Sequence, residues 1–105
     1  MAIDSIHSLQ THLQWALELE LTTVAPYLCA LYSIPEGSNH EAATIVRSVV
    51  MEEMLHMTLA ANVLNAVDGT PRLADRSIVP RYPKCLPHSD DAFQVQLLPL
   101  CPEAL

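Results

Sequence analysis

Glu53 and His56, a glutamate and a histidine three residues apart, have clear potential for metal chemistry. On a helix this spacing puts both side chains on one face. Carboxylates are hard oxygen ligands that can bridge two metal ions, and imidazole suits iron, manganese or zinc. Glu-x-x-His pairs projecting into a helical bundle supply ligands in di-iron and di-manganese carboxylate proteins. We therefore predict that Glu53 and His56 bind metal. Glu52 lies about 100° around the helix from Glu53. It therefore either contacts the ligand side chains without binding the metal itself or is a surface residue.

A further glutamate, Glu20, lies upstream within an apolar stripe of helical spacing that includes Leu17 and Val24. A lone carboxylate is costly to bury there unless it meets a cation or hydrogen-bond donors. Tyr27 follows on the same face about two turns later, and we predict that it lies near the site as a hydrogen-bond donor or redox-active neighbour. Glu18 lies about 160° around the helix from Glu20, and we interpret it as a solvated surface residue.

These residues also have simpler explanations when they are taken one at a time. His56 could be a core histidine with ordinary hydrogen bonds, and Glu53 a solvated helix residue. The combination with Glu20 and Tyr27 favours the metal site instead. Three ligands do not complete a two-metal site, but a second copy related by a two-fold axis would bring the total to four carboxylates and two histidines. The other histidines lack such partners, and we interpret them as surface or locally hydrogen-bonded residues: His7, His12, His40 and His88.

Two long helices must position these side chains, and the first is predicted from about Ser5 to Ser33. Asp4 or Ser5 can cap it, because a short side-chain oxygen there accepts from the first free N–H groups. Pro26 falls inside the pattern and predicts a kink or bulge one turn earlier. The alternative is that Pro26 marks a real helix end, followed by a separate short helix.

The second helix is predicted from about Asn39 to Val67, with Gly69 as its C-terminal stop. Pro35 and Gly37 break the chain between the helices. The segment 38–41 has a capping-box pattern with Ser38 at the cap. A short connection makes the two helices antiparallel neighbours and brings Glu20 and Glu53 to similar depths.

The segment from residue 71 onward is rich in proline, since six of the eight prolines lie in residues 71–102. This excludes another long helix, although Phe93–Leu97 alternates and could form one short strand. We therefore divide the chain into a helical hairpin, residues 1–70, and a proline-rich crossover or tail, residues 71–105.

The net charge of −7 excludes some classes of partner. Residues 1–68 hold eight of the twelve acids but only one of the five bases, which argues against nucleic acid as a partner.

No apolar run reaches the ~18 residues of a membrane span, and the N-terminus lacks the pattern of a signal peptide. The three cysteines have no metal or redox spacing, so we predict free thiols in the cytoplasm.

Several stretches of the chain also resemble a known family. Residues 16–28 (ALELELTTVAPYL), 31–34 (LYSI), 50–57 (VMEEMLHM) and 61–66 (ANVLNA) resemble the ferritin-like domain of the iminophenyl-pyruvate dimer synthase type. That domain occurs in bacterial enzymes of violacein and indolocarbazole biosynthesis. Residues 81–88 and 93–98 are similar to the long crossover between the family's two helix pairs.

The resemblance implies an all-α fold, in which this chain is an antiparallel two-helix hairpin forming half of a ferritin-like four-helix bundle. It implies metal ligands at Glu20, Glu53 and His56, with iron as the first choice of metal and manganese as the second, and oxidation by O₂ or peroxide in a biosynthetic pathway. The partner would be a second copy or the C-terminal half of a longer family domain. The coupling of oxidised indole-pyruvate imines belongs to a larger haem protein and is not assigned to this chain. The alternative function is a metal-free helical assembly module of a larger biosynthetic protein.

Overall fold

Two helices packed against each other dominate the computed structural model, which describes residues 2–88 and 94–101. Helix α1 spans Ile6–Tyr32 and helix α2 spans His40–Ala66, each of 27 residues. Both lie within a residue or two of the predicted bounds, and the predicted helical hairpin is confirmed. The buried apolar side chains come from both helices and from the segment after them: Leu17, Ala30, Val46, Val50, Leu64 and Ile78.

Helix α1 begins at a serine cap and continues through its proline. Ser5 is the N-cap, and its hydroxyl accepts from the backbone N–H of Ser8 at 3.1 Å. The helix runs through Pro26 to Tyr32, so the alternative of a helix end at Pro26 is wrong. A proline removes only one backbone donor from the ladder, and the remaining bonds of a 27-residue helix hold it together.

The N-cap of helix α2 lies one residue later than predicted. Asn39 is the N-cap, with a left-handed backbone at φ 43° and no capping hydrogen bond from its side chain. The prediction of Ser38 as the cap is wrong, because the Ser38 hydroxyl and N–H both donate to the Pro35 carbonyl, at 2.9 and 3.1 Å. Ser38 therefore closes the turn between the helices instead of capping α2.

The end of α2 explains the glycine that the sequence places after it. Asp68 takes the left-handed conformation at φ 66°, and the Gly69 N–H donates to the Leu64 carbonyl at 2.9 Å. This is the hydrogen bond of a Schellman motif, which ends a helix by satisfying its last carbonyls. A Cβ at Gly69 would overlap the Leu64 side chain, so the close approach requires glycine here.

The segment after α2 contains a small antiparallel sheet. Strand β1 (Lys84–Cys85) pairs with strand β2 (Gln94–Val95), and Lys84 lies opposite Val95. The strand predicted at Phe93–Leu97 overlaps β2, while Phe93 itself lies outside the described residues. Within residues 2–88 and 94–101, no helix is long and apolar enough to cross a membrane. The division of the chain at residue 70 stays a prediction.

Side chains of α1 hold the segment after α2 against the hairpin. The Gln14 amide donates to the Arg72 carbonyl and accepts from the Arg72 N–H, both at 3.0 Å. Near the end of α2, the Gln10 amide donates to the Val67 carbonyl at 2.8 Å. Long-range bonds of this kind satisfy backbone groups that an irregular segment cannot pair within itself.

A histidine of the same segment packs on the outer face of α1. The His88 ring stacks on Trp15 with centroids 4.3 Å apart, and its Nε2 lies 3.3 Å from Glu18 Oε2. The Glu18 side chain is only 13% exposed, so its interpretation as a solvated residue is wrong. His88 likewise has a long-range partner that its local sequence does not indicate.

Candidate metal centre

The hairpin brings Glu20, Glu53 and His56 to the same level of the two helices. Glu20 lies 12 residues before the last residue of α1 (32 − 20), and Glu53 lies 13 residues after the first residue of α2 (53 − 40). At about 1.5 Å of rise per residue, both lie ~18–20 Å from the connection. The tight turn and the equal arms therefore place the two carboxylates opposite each other, as the sequence predicts.

The three side chains converge on one point between the helices. His56 Nδ1 lies 3.7 Å from Glu20 Oε2 and 3.9 Å from Glu53 Oε2. One ligand atom from each residue can be chosen so that all three lie within 4.8 Å of one another. The Glu20 and Glu53 side chains are 21% and 20% exposed, whereas His56 is 51% exposed. The cluster is therefore closed on the carboxylate side and open on the histidine side.

The environment of Glu20 disfavours its charged form. Burial raises the pKa of Glu20 to about 7, and a hydrogen bond and charge repulsion from Glu53 act in the same direction. His56 lowers the pKa of Glu20 by a smaller amount. A second carboxylate nearby, without a strong cation between the two, favours the protonated form of Glu20 in this way. A bound cation would relieve the same repulsion.

Thr23 is a neighbour of the site that the sequence reasoning missed. Its hydroxyl lies 3.0 Å from the Glu20 carbonyl oxygen and 3.3 Å from Glu53 Oε2. The hydroxyl thus connects the α1 turn that carries Glu20 to the carboxylate on α2. The available signal was its position three residues after Glu20, which places it on the same side of the helix.

The two residues predicted beside the ligands make no polar contact with them in the described part of the chain. Tyr27 is partly buried on α1, and Glu52 is exposed on α2. Neither is hydrogen-bonded or ion-paired to Glu20, Glu53 or His56 among the described residues. Their predicted supporting roles stay predictions.

The donor set fits a divalent transition metal ion. It offers two carboxylates and one imidazole, a mixture that suits iron and manganese. Within residues 2–88 and 94–101, no lysine or arginine forms an ion pair with Glu20 or Glu53. For His56 to bind through Nδ1, the ring proton must lie on Nε2. Three protein ligands leave further positions of a metal ion to be filled from outside this cluster.

Comparison with known proteins bears on this hairpin and its cluster. A family model described as Ferritin-like matches residues 13–105, a range that includes all three residues of the cluster. A search of curated proteins found no significant match, and a search of solved structures found none either.

Proposed function

Since the chain belongs to the ferritin-like family, and since two of its carboxylates and one imidazole meet at one point, we propose that its hairpin binds a divalent transition metal. Glu20, Glu53 and His56 are the proposed ligands. Iron is the first candidate and manganese the second, because both accept mixed carboxylate and imidazole ligands. The observation that carries the proposal is the mutual approach of these ligand atoms within 4.8 Å.

The proposed centre holds two metal ions and is completed by a second set of ligands. Three residues are too few for a carboxylate-bridged pair, for which bundle proteins supply ligands from four helices. A second copy of the hairpin, or the C-terminal half of a longer domain, would bring the other set. The 51% exposure of His56 supports this arrangement, because the open side of the cluster is where another helix pair can approach.

Iron in such a centre supplies oxidation chemistry with O₂ or peroxide. The contribution of the chain is to hold two carboxylates in a partly buried position and to release the proton of Glu20 when a cation enters. From the sequence resemblance we place this chemistry in a biosynthetic pathway, in a domain of the iminophenyl-pyruvate dimer synthase type. We also propose a cytoplasmic location, because the three cysteines are odd in number and have no metal or redox spacing.

The second candidate function is a metal-free helical module that serves assembly. Large apolar side chains remain exposed along α2, including Met51, Leu55 and Leu59 at 65%, 54% and 51%. Such a surface favours contact with other helices whether or not metal is present. The two functions differ in one measurable property, which is specific binding of Fe(II).

Anaerobic calorimetry with Fe(II) tests the proposal on the wild-type chain and three variants. Glu53→Gln and His56→Ala should each weaken Fe(II) binding by more than about tenfold, because either change leaves too few ligands. The matched control is Glu36→Gln, which removes the same charge at an exposed position in the turn between the helices. Equal losses for Glu36→Gln and Glu53→Gln would mean that only general acidity attracts the metal, and would favour the assembly module.

A further inference from the structure

The carbonyl of Thr22 loses its normal helical partner. In an α-helix this carbonyl accepts from the N–H four residues later, which is residue 26, and a proline has no N–H to donate. A proline ring at this position also crowds the same carbonyl. Thr22 is 1% exposed, so water does not easily replace the missing donor. A buried carbonyl without a partner costs about 1–3 kcal/mol.

Tyr82, in the segment after α2, supplies the missing donor. Its hydroxyl donates to the Thr22 carbonyl at 2.6 Å, across a separation of 60 residues. The Tyr82 side chain is partly buried, and this burial raises the pKa of its phenol. The hydroxyl therefore keeps its proton at neutral pH and remains a donor.

The Thr22 carbonyl lies in the turn of α1 that forms one wall of the metal centre. Glu20 is two residues earlier and Thr23 is the next residue. The Thr23 hydroxyl lies 3.0 Å from the Glu20 carbonyl and 3.3 Å from Glu53 Oε2. A shift of this turn would move Glu20 and change how Thr23 meets Glu53.

We propose that Tyr82 is a positioning residue for the metal centre, and that its hydroxyl replaces the N–H that Pro26 lacks. The phenol fixes the α1 turn that holds Glu20 and Thr23 opposite Glu53. The segment after α2 thereby acts on the centre through the backbone of α1 without supplying a ligand. The effect on metal binding rests on the proposed function, whereas the effect on the stability of α1 does not.

A double-mutant cycle tests this link, because Pro26→Ala restores an N–H that can donate to the Thr22 carbonyl. The variants are Tyr82→Phe, Pro26→Ala and the two combined, all in the full chain. Tyr32→Phe is the matched control, since it removes the same hydroxyl from a side chain that is 76% exposed. Two readouts are used: the urea midpoint of unfolding without metal, and the affinity for Co(II), measured by its visible absorption.

With Pro26 present, Tyr82→Phe should lower the urea midpoint and weaken Co(II) binding by about tenfold, the scale of other residues that orient ligands. In the Pro26→Ala background, the same change should have little effect on either quantity, and Tyr32→Phe should have none. If Tyr82→Phe alone does not fold, the double variant should still fold, and its failure would overturn the proposal.

Three further outcomes decide whether Tyr82 acts through the Thr22 carbonyl and whether it affects metal binding. Equal losses from Tyr82→Phe in the wild-type chain and in the Pro26→Ala background would mean that Tyr82 acts only by packing, which overturns the link to Thr22. Unchanged Co(II) affinity in Tyr82→Phe would overturn the positioning role. If the wild-type chain binds no Co(II), the proposed function and the positioning role both fail, and the urea cycle alone then decides whether Tyr82 replaces the missing N–H.

Discussion

At the scale of single residues, the close approach of Glu20 and Glu53 determines how the cluster responds to protons and cations. The pKa of Glu20 rises to about 7, mainly because the side chain is removed from water and secondly because Glu53 lies beside it. A metal ion and a proton therefore compete for the same carboxylate pair. The cluster is best suited to hold a cation at and above neutral pH.

The first prediction concerns stability without metal as the pH changes. Glu20 has a pKa of about 7 in the folded chain against a reference of 4.5, so between these values the folded chain holds a proton that the unfolded chain has released. The free energy of unfolding should therefore fall as the pH rises from about 4.5 to about 7. Urea denaturation at pH 5 and pH 7 measures this change.

Glu20→Gln should flatten this pH dependence, because the amide does not titrate. Glu36→Gln, at an exposed position, is the control and should keep the wild-type slope. If Glu20→Gln keeps the full slope, the proton is held elsewhere and the electrostatic description of the cluster is wrong.

At the scale of elements, the two helices and the convergence of Glu20, Glu53 and His56 could be predicted from the sequence. Helical spacing of apolar residues, a serine at the start and a glycine past the end are local signals, and the hairpin geometry follows from a short connection. Pro26 is compatible with either a continuous or a broken helix, because the residues around it do not show what pairs with the Thr22 carbonyl. That partner is Tyr82, 60 residues away.

The path of the segment after α2 could not be predicted in the same way. It has no periodic pattern, and its contacts with α1 join residues 57 to 70 apart, as in Gln10 with Val67 and Glu18 with His88. No local rule indicates that a glutamate on the outer face of α1 will meet a histidine so far along the chain. Such contacts follow only from the folded backbone.

The second prediction concerns the attachment of this segment. Gln14 is 7% exposed and pairs with both backbone groups of Arg72. Gln14→Ala should cost about 1–3 kcal/mol by leaving buried polar groups unpaired, and should loosen the segment. Trypsin should then cleave faster after Arg72, Arg76, Arg81 and Lys84, whereas the hairpin offers only Arg47.

Gln96→Ala, at an exposed position of the same segment, is the control and should digest at the wild-type rate. An unchanged digestion rate in Gln14→Ala would mean that the segment is held by its other contacts.

At the scale of the whole molecule, the hairpin leaves one face of α2 apolar and exposed. Met51, Leu55, Leu59 and Val63 recur every four residues and are 47–65% exposed. This spacing forms one stripe along the helix. His56 directly follows Leu55, one of the residues of the stripe. We infer that a second helix pair covers the stripe, either from another copy or from the C-terminal half of a longer domain.

The third prediction is that the chain on its own associates into dimers or larger assemblies. Leu55→Lys combined with Leu59→Lys should shift it toward monomer, because charged side chains oppose burial of the stripe. Sedimentation equilibrium at micromolar concentration measures the state. The control is Ile3→Lys, which makes the same kind of change at an exposed residue outside the helices. A wild-type chain that is a stable monomer would refute association between copies.

The most direct test of the metal centre is anomalous scattering at the iron absorption edge from crystals grown anaerobically with Fe(II). We expect an anomalous peak between Glu20, Glu53 and His56, with carboxylate and imidazole atoms at bonding distance, and no such peak in His56→Ala. A peak at other acidic residues, or no peak at this cluster in the wild-type chain, would contradict this expectation.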